Sequence, residues 1–445
     1  MKIIIGGAGE VGSHLAKMLS HEDHEITVID PDESRLKGID STLDILTLVG
    51  SATSFEVLKE AKVKNADLLI AVAHSEDVNI TAAIIGKHLG AKKTIARVDN
   101  PEYLIPSFKE HFTNLGIDYL IYPERIAASE LVGLLHQSET TEYFDFSGGK
   151  LSLFVFKLDE KAPIINRTLG ELTKKDQSMD YRTIAITRNG KTFIPRGDDH
   201  FELNDMIYVV STRSGVEEIF HQTGKEKYGI KNLMILGGSR IGMKTALELQ
   251  RSFNIKLIEN DKEKCEQLAD ILEDTLIING DGRDTELLCD EGLKNMDAFV
   301  AVTGNSETNI LSCLFAQKIG VKKTIAEIEN IQYIGLAENI GVDTVINKKL
   351  TTASKIFRFT MRAEVSRIKY LTVSDAEVLE FVVKEGAKVT SGPLKEIEFP
   401  KDASIGGIIR GKSAFIAKGD TEIRPNDRAV VFALPTAINK IEKFF

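Results

Sequence analysis

Residues 7–12 read Gly7-Ala8-Gly9-Glu10-Val11-Gly12, between an apolar run at 2–5 and a stretch with helical apolar spacing at 12–20. A strand that turns on glycines into a helix can hold a pyrophosphate. Gly7 permits the tight turn, Gly9 has no Cβ to block the anion, and Gly12 lets helix and strand pack closely. The free N–H groups and the dipole of a helix start attract negative charge. Asp30 lies 18 residues after Gly12, at the end of the next apolar run. A carboxylate there can bond ribose hydroxyls and would repel a 2′-phosphate, which favours NAD over NADP. The competing reading is a glycine turn used only for packing. Strand, helix and terminal acid in register favour the nucleotide.

A second, altered copy stands at Gly237-Gly238-Ser239-Arg240-Ile241-Gly242, with Glu259 in the acidic position. Ser239 replaces the middle glycine and crowds the pyrophosphate approach, so this turn is either a weaker nucleotide site or a structural relic. The loops at the carboxyl ends of later strands add candidates. Ser51 and Asp281 could touch an adenosine, or could be helix N-caps. Ala73-His74 and Thr303-Gly304 lie on the same side. His74 corresponds to Gly304, which favours a contact or helix-start role over acid–base work. Arg97, matched by Glu327, could hold a phosphate bidentately or form a surface or interdomain salt bridge. His21 and His24 in HEDHE resemble a metal cluster only by type, and a solvated turn is the plainer reading.

The elements that position these residues occur twice. At an offset of 230 residues, 69–98 falls on 299–328, with Asn79-Ile80 on Asn309-Ile310 and KKTIA at 92–96 on KKTIA at 322–326. The segment 192–210 resembles 414–432, each with Gly-Asp and Asn-Asp turn signals of a hairpin. The order is A–B–A′–B′, with modules expected over 1–137, 143–224, 231–355 and 368–445. Module A alternates strands (2–5, 25–30, 43–49, 67–73, 94–98, 118–122) with helices. That pattern predicts an α/β fold with a doubly wound, Rossmann-like parallel sheet. Module B predicts a small α+β or mostly β domain. The A–B junction near 137–143 and the B–A′ junction near 224–231 are hinge candidates. Before B′, Lys348, Lys349, Lys355, Arg358, Arg362, Arg367 and Lys369 interleave with Ile356, Phe357, Phe359, Met361 and Val365. This predicts an amphipathic helix packed on a partner subunit.

Of the 445 residues, 56 are Lys or Arg and 66 Asp or Glu, a formal net charge of -10. This length implies three or four domains, and 42% hydrophobic with 27% charged residues is ordinary globular composition. No uncharged apolar run reaches the ~18 residues of a membrane span, and no signal-peptide core is present. The acidic balance and the absence of Trp argue against nucleic-acid binding. Cys265, Cys289 and Cys313 form no CxxC pair and read as reduced thiols. There is no GxxxxGK[ST] phosphate loop, and the two B copies share no His, Lys or Cys constellation. A nucleotide site without a catalytic partner implies ligand sensing rather than an enzyme, with a soluble NAD-dependent oxidoreductase and a nucleotide-free scaffold as the rival classes.

The A–B–A′–B′ chain resembles the TrkA family, the peripheral regulatory subunits of bacterial and archaeal Trk potassium-uptake systems. The resemblance covers nearly the whole chain. It rests on GGAGEVG at 6–12, VIDPDESRL at 28–36, TIARVDNPEY at 94–103 and the turns at 195–198 and 418–420. It implies RCK/KTN N-terminal domains for A and A′, and RCK C-terminal domains for B and B′. It further implies binding of NAD(H), with ATP or ADP as further candidates, at the 7–12 turn, Asp30, the Ala73-His74 loop, Arg97, the 237–242 turn and Glu259. The partners implied are a homo-oligomeric cytoplasmic ring, a dimer of dimers, and a membrane-embedded K⁺-translocating subunit of TrkH, TrkG or KtrB type. The chain would be peripheral on the inner face of the membrane through that subunit, with no lipid anchor. Ser51, where the family usually places Asp, and Ser239 depart from the pattern.

Overall fold

The computed structural model describes residues 1–20, 24–40, 44–136, 140, 142–175, 180–225, 229–357, 359–361, 364–371 and 376–445. His21, Arg358, Arg362 and parts of both hinge candidates lie outside them.

Six short apolar segments form the first sheet: β1 (Lys2–Gly6), β2 (Glu25–Asp30), β3 (Leu46–Val49), β4 (Leu68–Ala71), β5 (Lys93–Arg97) and β6 (Tyr119–Ile121). They pair in parallel in the order β3-β2-β1-β4-β5-β6. This is the doubly wound arrangement, and its strand order reverses beside β1, where the carboxyl ends of β1 and β4 open a crevice. β4 is buried along its whole length, as a strand covered by helices on both faces must be.

The next five strands are β7 (Glu142–Phe146), β8 (Leu151–Lys157), β9 (Tyr181–Arg188), β10 (Lys191–Phe193) and β11 (Met206–Thr212). They form an antiparallel sheet in the order β10-β9-β11-β8-β7. The second parallel sheet comprises β12 (Asn232–Leu236), β13 (Asn254–Glu259), β14 (Thr275–Asn279), β15 (Ala298–Ala301), β16 (Lys323–Glu327) and β17 (Thr344–Ile346), in the order β14-β13-β12-β15-β16-β17. It repeats the register of the first: Leu236 faces Ile258 and Ala301 as Gly6 faces Ile29 and Ala71. The last sheet holds β18 (Val365–Tyr370), β19 (Glu377–Val382), β20 (Ala403–Arg410), β21 (Ser413–Ile416) and β22 (Arg428–Ala433), in the order β18-β19-β22-β20-β21.

The hairpin expected within 192–210 and 414–432 is corrected by the pairing. β10 pairs with β9, not with β11, and β21 pairs with β20, not with β22. The turn that closes β9–β10 is Asn189-Gly190, both residues at positive φ (51° and 75°), as a tight two-residue hairpin requires. The Asn-Asp signals mark a different device. Asn204 and Asn426 adopt φ of 68° and 69°. The buried Asp205 and Asp427 that follow them receive the guanidinium groups of Arg188 and Arg410 at 2.7–2.9 Å. One arginine clamp on a buried Asp is thus used in each copy to tie the incoming loop to the sheet.

By contacts the chain separates into two units. The first comprises residues 1–126 with 348–362, and the second 127–347 with 363–445. In the first, the parallel sheet is flanked by a core containing Ile4, Ile29, Leu58 and Leu69 and by another containing Ala83, Val98, Ile117 and Tyr122. Helix Lys348–Phe357, which follows the second parallel sheet in the chain, packs here against helix Glu10–Ser20. This corrects the expectation that the basic segment lies on a partner subunit. Its apolar stripe, Ala353, Ile356 and Phe357, is already covered within the chain. Arg367 and Lys369 belong not to that helix but to β18.

In the second unit, Ala127, Leu131, Leu134 and Leu135 of helix Pro123–His136 join the core of the second parallel sheet, with Leu233, Ile235, Leu257 and Val300. The two antiparallel sheets share one core, in which Phe146, Val155 and Tyr208 meet Val378, Val430 and Phe432. Gly406 and Gly407 allow that approach. A Cβ at either would stand 2.8–2.9 Å from Val210 or Leu151.

Candidate nucleotide site

In the first module, helix Glu10–Ser20 begins directly after the turn that leaves β1. Gly7 has φ of +112°, and a Cβ there would lie 2.7 Å from the Ala73 amide nitrogen. At Gly12 a Cβ would fall 1.8 Å from the Gly7 carbonyl oxygen. Packing therefore requires both glycines, Gly12 against the turn itself more than against the strand. Gly9 differs: a Cβ there meets nothing within 4 Å. The fold leaves open space at Gly9, at the start of a helix whose first N–H groups face it.

Asp30 closes the back of the turn. It is 3% exposed and accepts the Ala8 N–H at 2.6 Å on one oxygen and the Asp32 N–H at 2.9 Å on the other. The carboxylate thereby fixes the start of the glycine turn relative to the end of β2. Ala8 and Val11 are buried, and Glu10 is exposed at the helix start.

The second module keeps this frame with different occupants. Gly237 (φ +106°) and Gly242 are crowded as Gly7 and Gly12 are. Gly238 is crowded too, with a Cβ falling 2.4 Å from Leu268. Ser239 is the N-cap of helix Arg240–Leu249, and its hydroxyl accepts the Gly242 N–H at 3.3 Å. The serine thus engages one of the amides that an anion would otherwise use. Ile241 is buried in the core behind this helix. Glu259 accepts the Gly238 N–H at 2.9 Å, as Asp30 accepts Ala8, but it also receives the Lys264 ammonium at 2.7 Å. Burial raises the proton affinity of this carboxyl, yet Lys264 and the Asp261 amide outweigh that and hold it below its ordinary value.

The loops after β3 and β14 correct one expectation. Neither Ser51 nor Asp281 is a helix N-cap. The caps are Ser54, accepting from Val57 N–H, and Asp284, accepting from Glu286 and Leu287 N–H. Ser51 instead meets Thr53 at 2.7 Å in an exposed turn. Asp281 is bridged by the Arg283 guanidinium at 2.6–3.1 Å, which lowers its carboxyl to about 2.

The loops after β4 and β15 are held by a pair that sequence reasoning aligned without assigning a role. Asn79, 1% exposed, accepts the Ala73 N–H at 2.7 Å and donates to the Ala73 and Arg97 carbonyls at 3.0 Å. Asn309 does the same for Thr303 and Glu327, at 3.0, 3.1 and 2.8 Å. One buried amide thereby locks the ends of two neighbouring strands at the crevice. The signal was the identity of Asn79 and Asn309 across the repeat. His74 is exposed on the same loop. Arg97 makes a local ion pair with Asp99 at 3.1 Å, its side chain 20% exposed and its Nε buried without a hydrogen-bond partner. Glu327, its counterpart, is buried. Among the described residues no group of His, Cys, Asp or Glu could hold a metal ion, and no helix is long and apolar enough to cross a membrane.

Fold and site define a duplicated Rossmann protein, each Rossmann module followed by a small antiparallel module. The TrkA-N domain model matches residues 3–123 and 233–348, and the TrkA-C domain model residues 153–224 and 378–445. The chain is 36% identical over 450 residues to a Trk system potassium uptake protein TrkA homolog of Archaeoglobus fulgidus, covering 100% of both chains. It is 33% identical over 454 residues to Trk system potassium uptake protein TrkA homolog 1 of Methanosarcina mazei, again covering 100% of both. Among solved structures, the GsuK channel bound to NAD superposes with a TM-score of 0.60 at 16% identity, over 99% of this chain and 78% of that one, a likeness of fold. The chain belongs to the TrkA family.

Proposed function

We propose that this chain is a nucleotide-sensing regulatory subunit of a Trk-type potassium-uptake system. It binds NAD(H), or ATP or ADP in its place, on the Gly7–Gly12 turn of the first module, and through that binding controls conduction by a separate K⁺-translocating membrane subunit. The observation that carries the reading is Gly9. Packing accounts for Gly7 and Gly12, but among the described residues nothing comes within 4 Å of a Cβ placed at Gly9. The second copy carries Ser239 at the same point of the same fold, so the frame itself tolerates a side chain there. A glycine that the fold does not need is explained by a ligand that approaches the backbone. Asp30 stands at the carboxyl end of β2, where a dinucleotide's ribose would lie.

The names of the relatives and the NAD-bound GsuK channel support the same reading. The role is regulatory rather than enzymatic, and the chain sits on the cytoplasmic face of the membrane through its partner, as a homo-oligomeric ring. A nucleotide moves the gate only by the difference in its affinity for two arrangements of the modules. The second module, with its serine-capped helix and lysine-paired Glu259, is the weaker site or a purely structural one.

Calorimetric titration with NADH, NAD, ATP and ADP, paired with K⁺ flux through the cognate pore, tests this. Binding to the first module that changes flux is the expected result. Binding with no effect on flux or ring geometry would sink the gating role. Turnover of the nicotinamide absorbance with a substrate would replace it by an oxidoreductase.

A further inference from the structure

Helix Lys348–Phe357 carries a cation to the mouth of the first turn. The Lys349 ammonium pairs with the Glu10 carboxylate at the start of helix Glu10–Ser20. The lysine side chain is only 11% exposed and that of Glu10 is 63% exposed. Its placement follows from the packing of the helix, whose Thr352, Ala353, Ile356 and Phe357 are buried. Burial pushes the Lys349 ammonium below its ordinary value.

Electrostatically this is an odd place for a lysine. The N-terminus of a helix is its positive end, where cations are disfavoured and anions are bound. The Glu10 carboxylate that meets this ammonium is itself largely exposed to water, which screens the pair. A pyrophosphate laid along the open Gly9 turn would answer both, receiving the helix amides on one side and the ammonium on the other. The fold does not demand these charges. In the other copy the residue matching Lys349 is Glu124 (Tyr122-Pro123-Glu124 against Asn347-Lys348-Lys349), and the residue matching Glu10 is Arg240.

We infer that Lys349 is a phosphate-contacting residue of the first nucleotide site, with Glu10 as the partner it holds until the phosphates arrive. This inference rests on the nucleotide reading given above. It also makes the site composite in sequence. The glycine turn and Asp30 come from the first module, while the ammonium comes from a helix that leaves the second parallel sheet at Asn347. A nucleotide gripping Lys349 therefore engages a residue two positions beyond that sheet's unit. The ligand class is a nucleotide with two or more phosphates, and adenosine should gain nothing from the lysine.

The test is calorimetric titration of the full chain with NADH and with ATP, for wild type, Lys349→Gln, Lys349→Arg and Glu10→Gln. Lys349→Gln should weaken both nucleotides about tenfold or more, the scale of one lost hydrogen bond to a charged group. Lys349→Arg should retain most of the affinity. Glu10→Gln should tighten binding, because it removes a competing anion. Opposite signs for the two neutralising variants are the signature of a phosphate contact. If Lys349 serves only a structural ion pair, the two variants will lower the unfolding temperature alike and leave affinity unchanged, and the inference fails. Should Lys349→Gln not fold, tightening by Glu10→Gln still carries the proposal and unchanged affinity still overturns it. Wild type that binds neither nucleotide removes the nucleotide reading itself, which separates that failure from a failure of Lys349 alone.

Discussion

Lys264 donates to the Glu259 carboxylate at 2.7 Å, so the acid that ends β13 is already paired within its own module. The residue matching Lys264 in the first module, Arg35, turns instead to Asp32, at 3.4 Å. Asp30 is left with backbone amides as its hydrogen-bond donors. Two turns built on one frame therefore carry differently paired acids, and exchanges between the copies separate the role of the frame from that of its occupants.

Exchange of the middle turn residue should move nucleotide affinity between the modules. Gly9→Ser should fold with an unfolding temperature close to wild type, since its Cβ meets open space. Its affinity for NADH should fall at least tenfold. Ser239→Gly should cost only a few tenths of a kcal/mol of helix capping and should strengthen binding at the second turn. Calorimetric stoichiometry on both variants checks this. Unchanged NADH affinity in Gly9→Ser would contradict the assignment.

Asp30 holds the glycine turn and also stands where we propose that the ribose binds, and the two roles separate by substitution. Asp30→Ala strands the buried amide of Ala8, at roughly 1–3 kcal/mol for a buried donor left unpaired, and leaves the Asp32 amide to water. It should lower stability along with NADH affinity. Asp30→Ser, which can accept one of those bonds, should recover part of the stability and improve the ratio of NADPH to NADH affinity. Denaturant unfolding and competition titration read the two effects independently.

Asn79→Ala and Asn309→Ala should each destabilise by about 2 kcal/mol, because each removes a buried amide that satisfies three backbone groups. Asn79→Ala should also weaken nucleotide binding by freeing the Ala73-His74 loop, whereas Asn309→Ala should leave the first site intact. Hydrogen exchange at Ala73 and Thr303 is the direct readout.

Glu338 supplies a pH dependence. Burial first, and then the nearby Glu142 carboxylate, raise its carboxyl from 4.5 to about 7, against a smaller opposing pull from Lys157. The folded state thus holds the proton more tightly than the unfolded chain. The stability from this group is full below pH 4.5, declines as pH rises towards 7, and is gone above that. The loss is at most ~3 kcal/mol, less after solvent screening. Glu338→Gln should flatten the unfolding temperature between pH 5 and 7.5 and raise it at pH 8. A wild-type curve with no slope in that window would refute the shift.

Legibility in the sequence follows the range of the physics. The glycine turn and the acid at the end of the second strand depend on backbone conformation and strand period, which a few neighbouring residues set. Both are legible in the sequence, together with their repeat partners. The capping alternative at Ser51 and Asp281 falls to Ser54 and Asp284, three residues on, because each loop offers two capping residues and only the helix trajectory selects one. Asn79 and Asn309 carried a repeat signal but no role, since their partners, Arg97 and Glu327, lie 18 residues on in the next strand.

The sequence by itself determined the duplication, the two kinds of module and the glycine turn with its acid at the end of the second strand. Tertiary structure alone decided where the last helix of each parallel module packs. Residues 127–135 join the core of the second sheet, while helix Lys348–Phe357 lies on helix Glu10–Ser20. An amphipathic stripe states that a helix must be covered but not by which surface. Two near-identical sheets in one chain offer each helix equivalent surfaces, and only the path of the folded chain chooses between them. That choice brings Lys349 to Glu10 across more than 300 residues of sequence.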